Sequence, residues 1–310
     1  MLVLGEKYTF TKLELERLNK KFKKIECMTY KDEDPDMIIE KISSILDSDK
    51  YTIVLLNTKA RVDNKIIKFL THIKFDEKFG EVRFMDIEHF LEEFLHKCYI
   101  PRDHTDLHYL NSIKKYTPFQ YAQKRAVDLF GIFWLYVFSF FVMQKSKKRI
   151  EKESPGPVYF KQDRVGYMNK DFSCVKFRSM NTDTEFFNHY TQKDDPRIFP
   201  WGDVMRKRRY DELPQMINIL KGEMHLMGPR AEWNQLVKEY EEEIPYYAQR
   251  HIVAPGITGW AQVMYPYGEN VEDSRQKLMY DLYYIKHWNI GLEFKIIWKT
   301  AMVVLHKKGV

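Results

Sequence analysis

The sequence predicts a chain in two parts: a small α/β unit on a parallel sheet, then a mixed α+β, mainly helical part with one hydrophobic helix of the re-entrant or interfacial kind. Three observations predict this. Strand-like and helix-like runs alternate over residues 1–110, an apolar run follows from Leu129 to Met143, and turn-rich loops separate short elements from Ser154 onward. With 310 residues, each part is long enough to bury a core of its own.

Composition narrows the functional classes. Apolar residues make up 44% and charged residues 30%, a globular balance rather than a disordered one. The net charge of +6 suits phosphate-bearing ligands or an anionic membrane face. It falls well short of the dense basic stripe of a nucleic-acid binder, so no nucleic-acid partner is expected. Cys27, Cys98 and Cys174 fit neither a zinc spacing nor a disulfide framework, which points to a reducing compartment. The stretch Met1 to Phe22 lacks the basic, apolar and small-residue regions of a secretory leader.

In the first part, Tyr51 to Asn57 is a short apolar run rich in β-branched residues and reads as a buried strand. Ile66, Ile67, Phe69, Leu70 and Ile73 then recur at helical spacing. Glu81 to Met85 reads as a further strand, and Asp86 caps a helix carrying Ile87, Phe90, Leu91, Phe94 and Leu95. This alternation implies a small parallel sheet. A dinucleotide site would want a glycine-rich turn after the first strand, and only Gly5 and Gly80 are available, so a packing, regulatory or oligomerisation role is expected for residues 1–110.

Ile100 to Asp106 and the Thr117-Pro118 pair read as connecting chain, with a linker over 111–123. Residues 124–153 then form the hydrophobic helix, and 154–310 a separate, chemically active domain. The apolar run holds about 15 residues against the ~20 that a helix needs to cross a bilayer. Lys124 and Arg125 precede it, and Lys145, Lys147, Lys148 and Arg149 follow, so both ends are expected on the cytoplasmic side. A re-entrant or interfacial helix satisfies both observations. Beyond it, Val158 to Phe160 and Phe172 to Phe177 can pair as strands, Asp211 to Leu220 reads as a short helix ended by Gly222, and Leu278 to Lys307 reads as amphipathic helix.

The chemistry gathers at Arg206-Lys-Arg-Arg-Tyr-Asp211-Glu212-Leu-Pro214. Asp211 reads as a helix N-cap, with Pro214 tolerated in the first turn. Two carboxylates at the positive end of a helix, beside a run of cations, are favoured in their ionised form. An ionised carboxylate can attack phosphorus, and its neighbour can hold a divalent cation that bridges a diphosphate. Capping alone would equally put acids there. Gly228-Pro229-Arg230 adds a turn that offers backbone N–H groups and a guanidinium to a phosphate. Lys176 and Arg178, two apart on a strand, share a face, and Gln262 ends a second turn-rich loop.

Taken in order, Lys124-Arg125-x-x-Asp128, Ser154-Pro-Gly-Pro-Val-Tyr-Phe-x-Gln162, Arg164-Val-Gly166, Lys176-Phe-Arg-Ser-Met180, Asp195-x-Arg197, Asp211-Glu-Leu-Pro-Gln215, Asn218-x-Leu-Lys-Gly222, Gly228-Pro-Arg230 and Pro255-Gly-Ile-Thr-Gly-Trp-Ala-Gln262 resemble the bacterial sugar transferase family, the monotopic phosphoglycosyl transferases. The resemblance covers roughly residues 120–310. It implies that Asp211 attacks a UDP-sugar at the sugar-bearing phosphate, releasing UMP, and that the phosphosugar then passes to polyprenol phosphate, of the undecaprenyl type. It implies Mg²⁺ held by Glu212 with Asp211, phosphate contacts from Arg206 and Arg230, a turn shaped by Gly228 and Pro229, and further substrate contacts from Lys176, Arg178 and Gln262. It also carries a place on the cytoplasmic face of a bacterial inner membrane, contact with membrane lipid, a homodimer, and a first part that is a Rossmann-like remnant.

Two features depart from the family pattern. Many members break the apolar helix with Ser-Pro, whereas this chain has Ser139-Phe-Phe141, and the arginine turn continues into Ala231 where a second proline is common. Two other readings accommodate the acidic pair: a metal-dependent phosphohydrolase with water as acceptor, and an inactive membrane-anchored scaffold.

Overall fold

The structure, a computed structural model, describes residues 1–28, 34–48, 51–57, 62–76, 79, 81–101, 107–182, 195–265, 268 and 270–305. Gly80, the Arg102 to Asp106 part of the expected connection and the end of the tail at His306 and Lys307 lie outside them. The chain divides into two compact units, Met1–Tyr99 and Ile100–Val310.

The first unit alternates strand and helix: β1 (Leu2–Leu4), α1 (Lys12–Asn19), β2 (Glu26–Met28), α2 (Pro35–Ser48), β3 (Ile53–Leu56), α3 (Asn64–Ile73), β4 (Arg83–Asp86) and α4 (Ile87–Phe90). The strands form a parallel sheet in the order β2-β1-β3-β4, as the alternation predicts. Leu2, Leu4 and Val54 from the sheet pack against Ile38, Ile42 and Leu46 of α2 and Ile66, Leu70 and Ile73 of α3. Asp86 caps α4 by accepting from the His89 backbone N–H at 2.8 Å. Ligands of open α/β sheets bind where the strand order reverses, here between β1 and β3. In this unit that place is bridged by the buried Asn57, whose amide donates to the Gly5 and Tyr8 carbonyls and accepts from the Tyr8 N–H.

The second unit contains α5 (Leu107–Ser112), α6 (Pro118–Glu153), the antiparallel pair β5 (Tyr159–Val165) and β6 (Asp171–Phe177), α7 (Pro200–Arg208), a 3₁₀ turn Tyr210–Gln215, α8 (Met216–Lys221), β7 (His225–Met227), α9 (Asn234–Glu243), β8 (Gly256–Thr258), α10 (Trp260–Met264), α11 (Val271–Lys286) and α12 (Ile290–Leu305). β7 and β8 pair in parallel. The expected linker is shorter than residues 111–123, because a Thr117 capping box already starts α6 at Pro118.

α6 is one continuous 36-residue helix that begins ahead of the expected 124–153 and is long and apolar enough by length and composition to cross a membrane. With Phe at position 140 instead of proline, nothing interrupts its hydrogen-bond ladder. Its buried residues, Lys124, Asp128, Ile132, Ser139, Ser146 and Ile150, follow helical spacing and lie along a single stripe. Ile132 packs with Cys174, Met216, Ile219 and Met224, and Ile150 packs with Phe177, Phe199 and Met205. Near its start Lys124 pairs with Glu293 at 2.9 Å, and Asp128 accepts from the Leu226 N–H at 2.7 Å and meets His225 Nδ1 at 2.6 Å. Near its end Glu153 accepts the Trp201 N–H at 2.7 Å. Both flanks of the apolar run are therefore fixed to the same unit. The other faces of the run are open: Phe138 and Phe141 are 78% and 80% exposed, and Phe130, Phe133 and Trp134 are exposed beside them.

Candidate active site

Arg209 sets the site up. It follows α7 in the left-handed region at φ 59°, stopping that helix and starting the tight turn of Tyr210–Gln215. Asp211 is thus the second residue of a 3₁₀ turn and not the N-cap of a longer helix, since α8 begins only at Met216. Asp211 does no capping work either: its Oδ1 is buried with no hydrogen-bond partner among the described residues. The turn packs directly on β6 and on α6.

Glu212 faces the opposite situation. Its Oε1 lies 3.1 Å from Lys176 Nζ and 3.8 Å from both Arg209 and Arg230. Burial pushes its carboxyl up, but Lys176, Arg230 and Arg209 outweigh this and hold it at about 2, against 4.5 ordinarily. Asp211 is pushed above its ordinary value by burial and by the Glu212 charge, with Lys176, Arg206 and Arg209 opposing. One acid is therefore a fixed anion among cations, and its neighbour is a carboxylate with an unengaged oxygen.

The arginine turn is held by glycine contacts. The Gly228 N–H donates to Thr258 O and the Gly256 N–H to Pro229 O, both at 2.9 Å. A Cβ on Gly228 would fall 2.8 Å from Gly256 N, and one on Gly259 would fall 2.1 Å from Gly228 O. Only residues without side chains let the Gly228-Pro229 turn and the Pro255 to Gly259 loop come this close, and that approach delivers Arg230 to Glu212. Beside them lies a cleft of about 340 Å³ lined by Arg209, Arg230, Tyr240, Gln262, Tyr265 and Lys277 among others. Gln262 Oε1 is a buried acceptor with no partner among the described residues, and its amide donates to Ile257 O. The cleft wall is braced by Arg250, which donates to Asp281 at 2.8 Å and to the Arg230 carbonyl at 2.9 Å. Burial, opposed by Arg250, pushes Asp281 up to about 6.

The structure therefore gathers Asp211, Glu212, Lys176, Arg206, Arg230, Gly228 and Pro229 around one turn, with Gln262 in the adjoining cleft. Arg178 departs from the group. It lies one residue past the end of β6, and its guanidinium turns into the Ser154-Pro-Gly-Pro turn, donating to the Ser154 hydroxyl and carbonyl and to Pro157 O. Strand alternation does not extend to it, so Lys176 and Arg178 do not share a face. Three cations were not singled out from the sequence. Arg209 sat unremarked in the basic run. Arg164, which donates to Ala231 O, stood in a quoted motif without a role. Lys277 lies on α11, with no local signal to connect it to the dyad.

A divalent cation fits this donor set as a shared ligand. Asp211 Oδ1 is an orphaned buried carboxylate oxygen beside a second acid. Among the described residues no group of three or more His, Cys, Asp or Glu gathers to hold a metal, so a diphosphate would supply further oxygens, as Mg²⁺ sites commonly require.

A known family and several known proteins are similar to the part of the chain that carries this site. The chain is 48% identical over 157 residues to a UDP-N-acetylgalactosamine–undecaprenyl-phosphate N-acetylgalactosaminephosphotransferase of Aeromonas hydrophila, covering 50% of this chain and 37% of that protein. It is 42% identical over 163 residues to a UDP-glucose:undecaprenyl-phosphate glucose-1-phosphate transferase of Xanthomonas campestris, covering 51% of this chain and 34% of that protein. The chain thus matches only about a third of the length of those two relatives. Against an exopolysaccharide production protein of Rhizobium leguminosarum it is 38% identical over 187 residues, covering 58% of this chain and 93% of that protein. The profile of the bacterial sugar transferase family matches residues 119–307, most of the second unit, and on this ground the chain belongs to that family.

Proposed function

We propose that this protein is a phosphoglycosyl transferase that moves a sugar 1-phosphate from a UDP-sugar to undecaprenyl phosphate, in two displacements through Asp211. The orphaned Asp211 Oδ1, held beside a permanent cluster of cations, carries this reading. In the first displacement the Asp211 carboxylate attacks the sugar-bearing phosphorus. The bond from that phosphorus to the bridging oxygen breaks, and UMP leaves with the electron pair. In the second, a phosphate oxygen of the lipid attacks the same phosphorus, Asp211 departs, and a polyprenyl diphosphate sugar forms.

Phosphoryl transfer depends mainly on positioning and neutralisation of charge. Arg206, Arg209, Arg230 and Lys176 supply that positive field, and Lys277 extends it into the cleft where the donor would lie. Mg²⁺, held by Glu212 and Asp211, would add neutralisation of the diphosphate. The elevated Asp211 gives a more basic and so more nucleophilic carboxylate than an ordinary aspartate. The exposed aromatic face of α6, fixed at both flanks to the unit that carries the dyad, favours a lipid acceptor over water and supports an interfacial seat on a membrane, which we place at the cytoplasmic face of the inner membrane.

The test is direct. Incubated with UDP-sugars and Mg²⁺ without lipid acceptor, the protein should gain the mass of a phosphosugar, traceable to a peptide containing Asp211. Release of UMP that begins only on adding undecaprenyl phosphate, with no adduct in its absence, would rule out the two-step route. Asp211→Asn should form no adduct and show at least about 10⁴-fold lower turnover.

A further inference from the structure

α6 carries a second chemical character. By helical periodicity, Phe130, Trp134, Phe138 and Phe141 fall on the side away from the buried stripe, and Lys145, Lys148, Arg149 and Lys152 continue that same side toward the C-terminal end. The four cations follow i, i+3, i+4, i+7 spacing, are exposed, and with Gln144 line one shallow concavity of about 540 Å³. Beside it, Lys145 Nζ lies 5.0 Å and the Arg149 guanidinium 5.8 Å from the Trp201 ring centre. Acid compensates it only in part. Arg149 pairs with Glu153 at 3.3 Å, whereas Glu151 falls outside this face by periodicity.

One helix face is thus aromatic for its first half and cationic for its second. The cationic part runs about 10 Å along the axis. Exposed aromatic side chains followed by cations on one helix face are typical of interfacial anchoring. Free solvation would explain the charges alone, but not their alignment with the aromatic band.

We infer that the Lys145, Lys148, Arg149 and Lys152 face binds the headgroups of anionic phospholipids, so that this protein prefers an anionic bilayer over a neutral one. The inference rests on the membrane reading above and adds lipid selectivity to it. Juxtamembrane basic residues add affinity for anionic surfaces that salt screens.

The experiment is flotation of the purified full-length chain with vesicles of phosphatidylcholine alone and of phosphatidylcholine mixed with phosphatidylglycerol. Binding to the mixed vesicles should be at least about tenfold tighter at low salt and converge on the neutral value at high salt. The triple substitution Lys145→Gln, Lys148→Gln, Lys152→Gln keeps the Arg149–Glu153 pair and should remove the preference while leaving binding to neutral vesicles. The matching triple change to Arg should keep the preference, which separates charge from any loss of folding. Equal binding of the unaltered protein to both vesicles would overturn the inference and leave the membrane reading standing. Binding to neither would overturn both.

Discussion

Asp211 and Glu212 are adjacent in sequence, yet their surroundings drive them in opposite directions. Glu212 gains Lys176, Arg230 and Arg209, whereas Asp211 gains a buried oxygen without a partner and an anionic neighbour. An acid whose folded value is raised binds its proton more readily in the folded state. Its contribution to stability is present at low pH and lost as pH rises through the folded value. At neutral pH the Asp211 charge therefore destabilises the fold. Asp211→Asn should accordingly lose turnover and yet raise Tm by about 1–3 °C at neutral pH. That gain should shrink below pH ~4, where the wild-type carboxyl is protonated in both states. Differential scanning calorimetry across pH checks this; a lower Tm for the variant at neutral pH would mean that the Asp211 charge is satisfied.

At the scale of elements, the arginine turn depends on backbone approach more than on side-chain packing. A Cβ at Gly256 would fall 2.1 Å from Gly228 N and 2.5 Å from Met227 C, both backbone atoms that cannot rotate away. Gly256→Ala should therefore displace Arg230 and lower kcat by about a hundredfold, since displacements near 1 Å carry losses of that size. Gly222→Ala is the control. Gly222 ends α8 at φ 83° with nothing within 4 Å, so alanine there should cost about 1 kcal/mol of stability and leave kcat unchanged. Steady-state kinetics and thermal melts on both variants separate the two effects. Much at this scale was legible in the sequence. The β-branched run gave β3, Asp86 gave the cap of α4, and Gly222 gave the end of α8, because each is dictated by neighbours in the chain. The site was legible in its members but not in its grouping. Lys176, Arg209 and Arg230 come from three separate segments to one carboxylate oxygen, and Arg178, two residues from Lys176, is drawn to a turn instead. Local spacing holds no information about which segments the tertiary fold will bring together.

At the scale of the whole molecule, the chemistry and the first unit are separable in their parts. Every residue placed at or beside the dyad lies between Arg164 and Lys277, within the second unit, and the family match begins at residue 119. The first unit has its own sheet and its own apolar core, and the switch point of that sheet is bridged by its own Asn57. The match to the Rhizobium relative takes up 93% of that protein's length but 58% of this chain. If the dyad, the arginine turn and α6 suffice for phosphosugar capture, residues 100–310 alone should form the Asp211 adduct at a rate within about threefold of the full chain. A factor of three corresponds to less than about 1 kcal/mol in the barrier, below the loss expected for any group that stabilises a transition state. Quenched-flow mass spectrometry of both proteins in matched detergent measures that rate. A fragment that folds, as judged by circular dichroism, but captures phosphosugar a hundredfold more slowly would give the first unit a part in catalysis that its own sheet and core do not reveal.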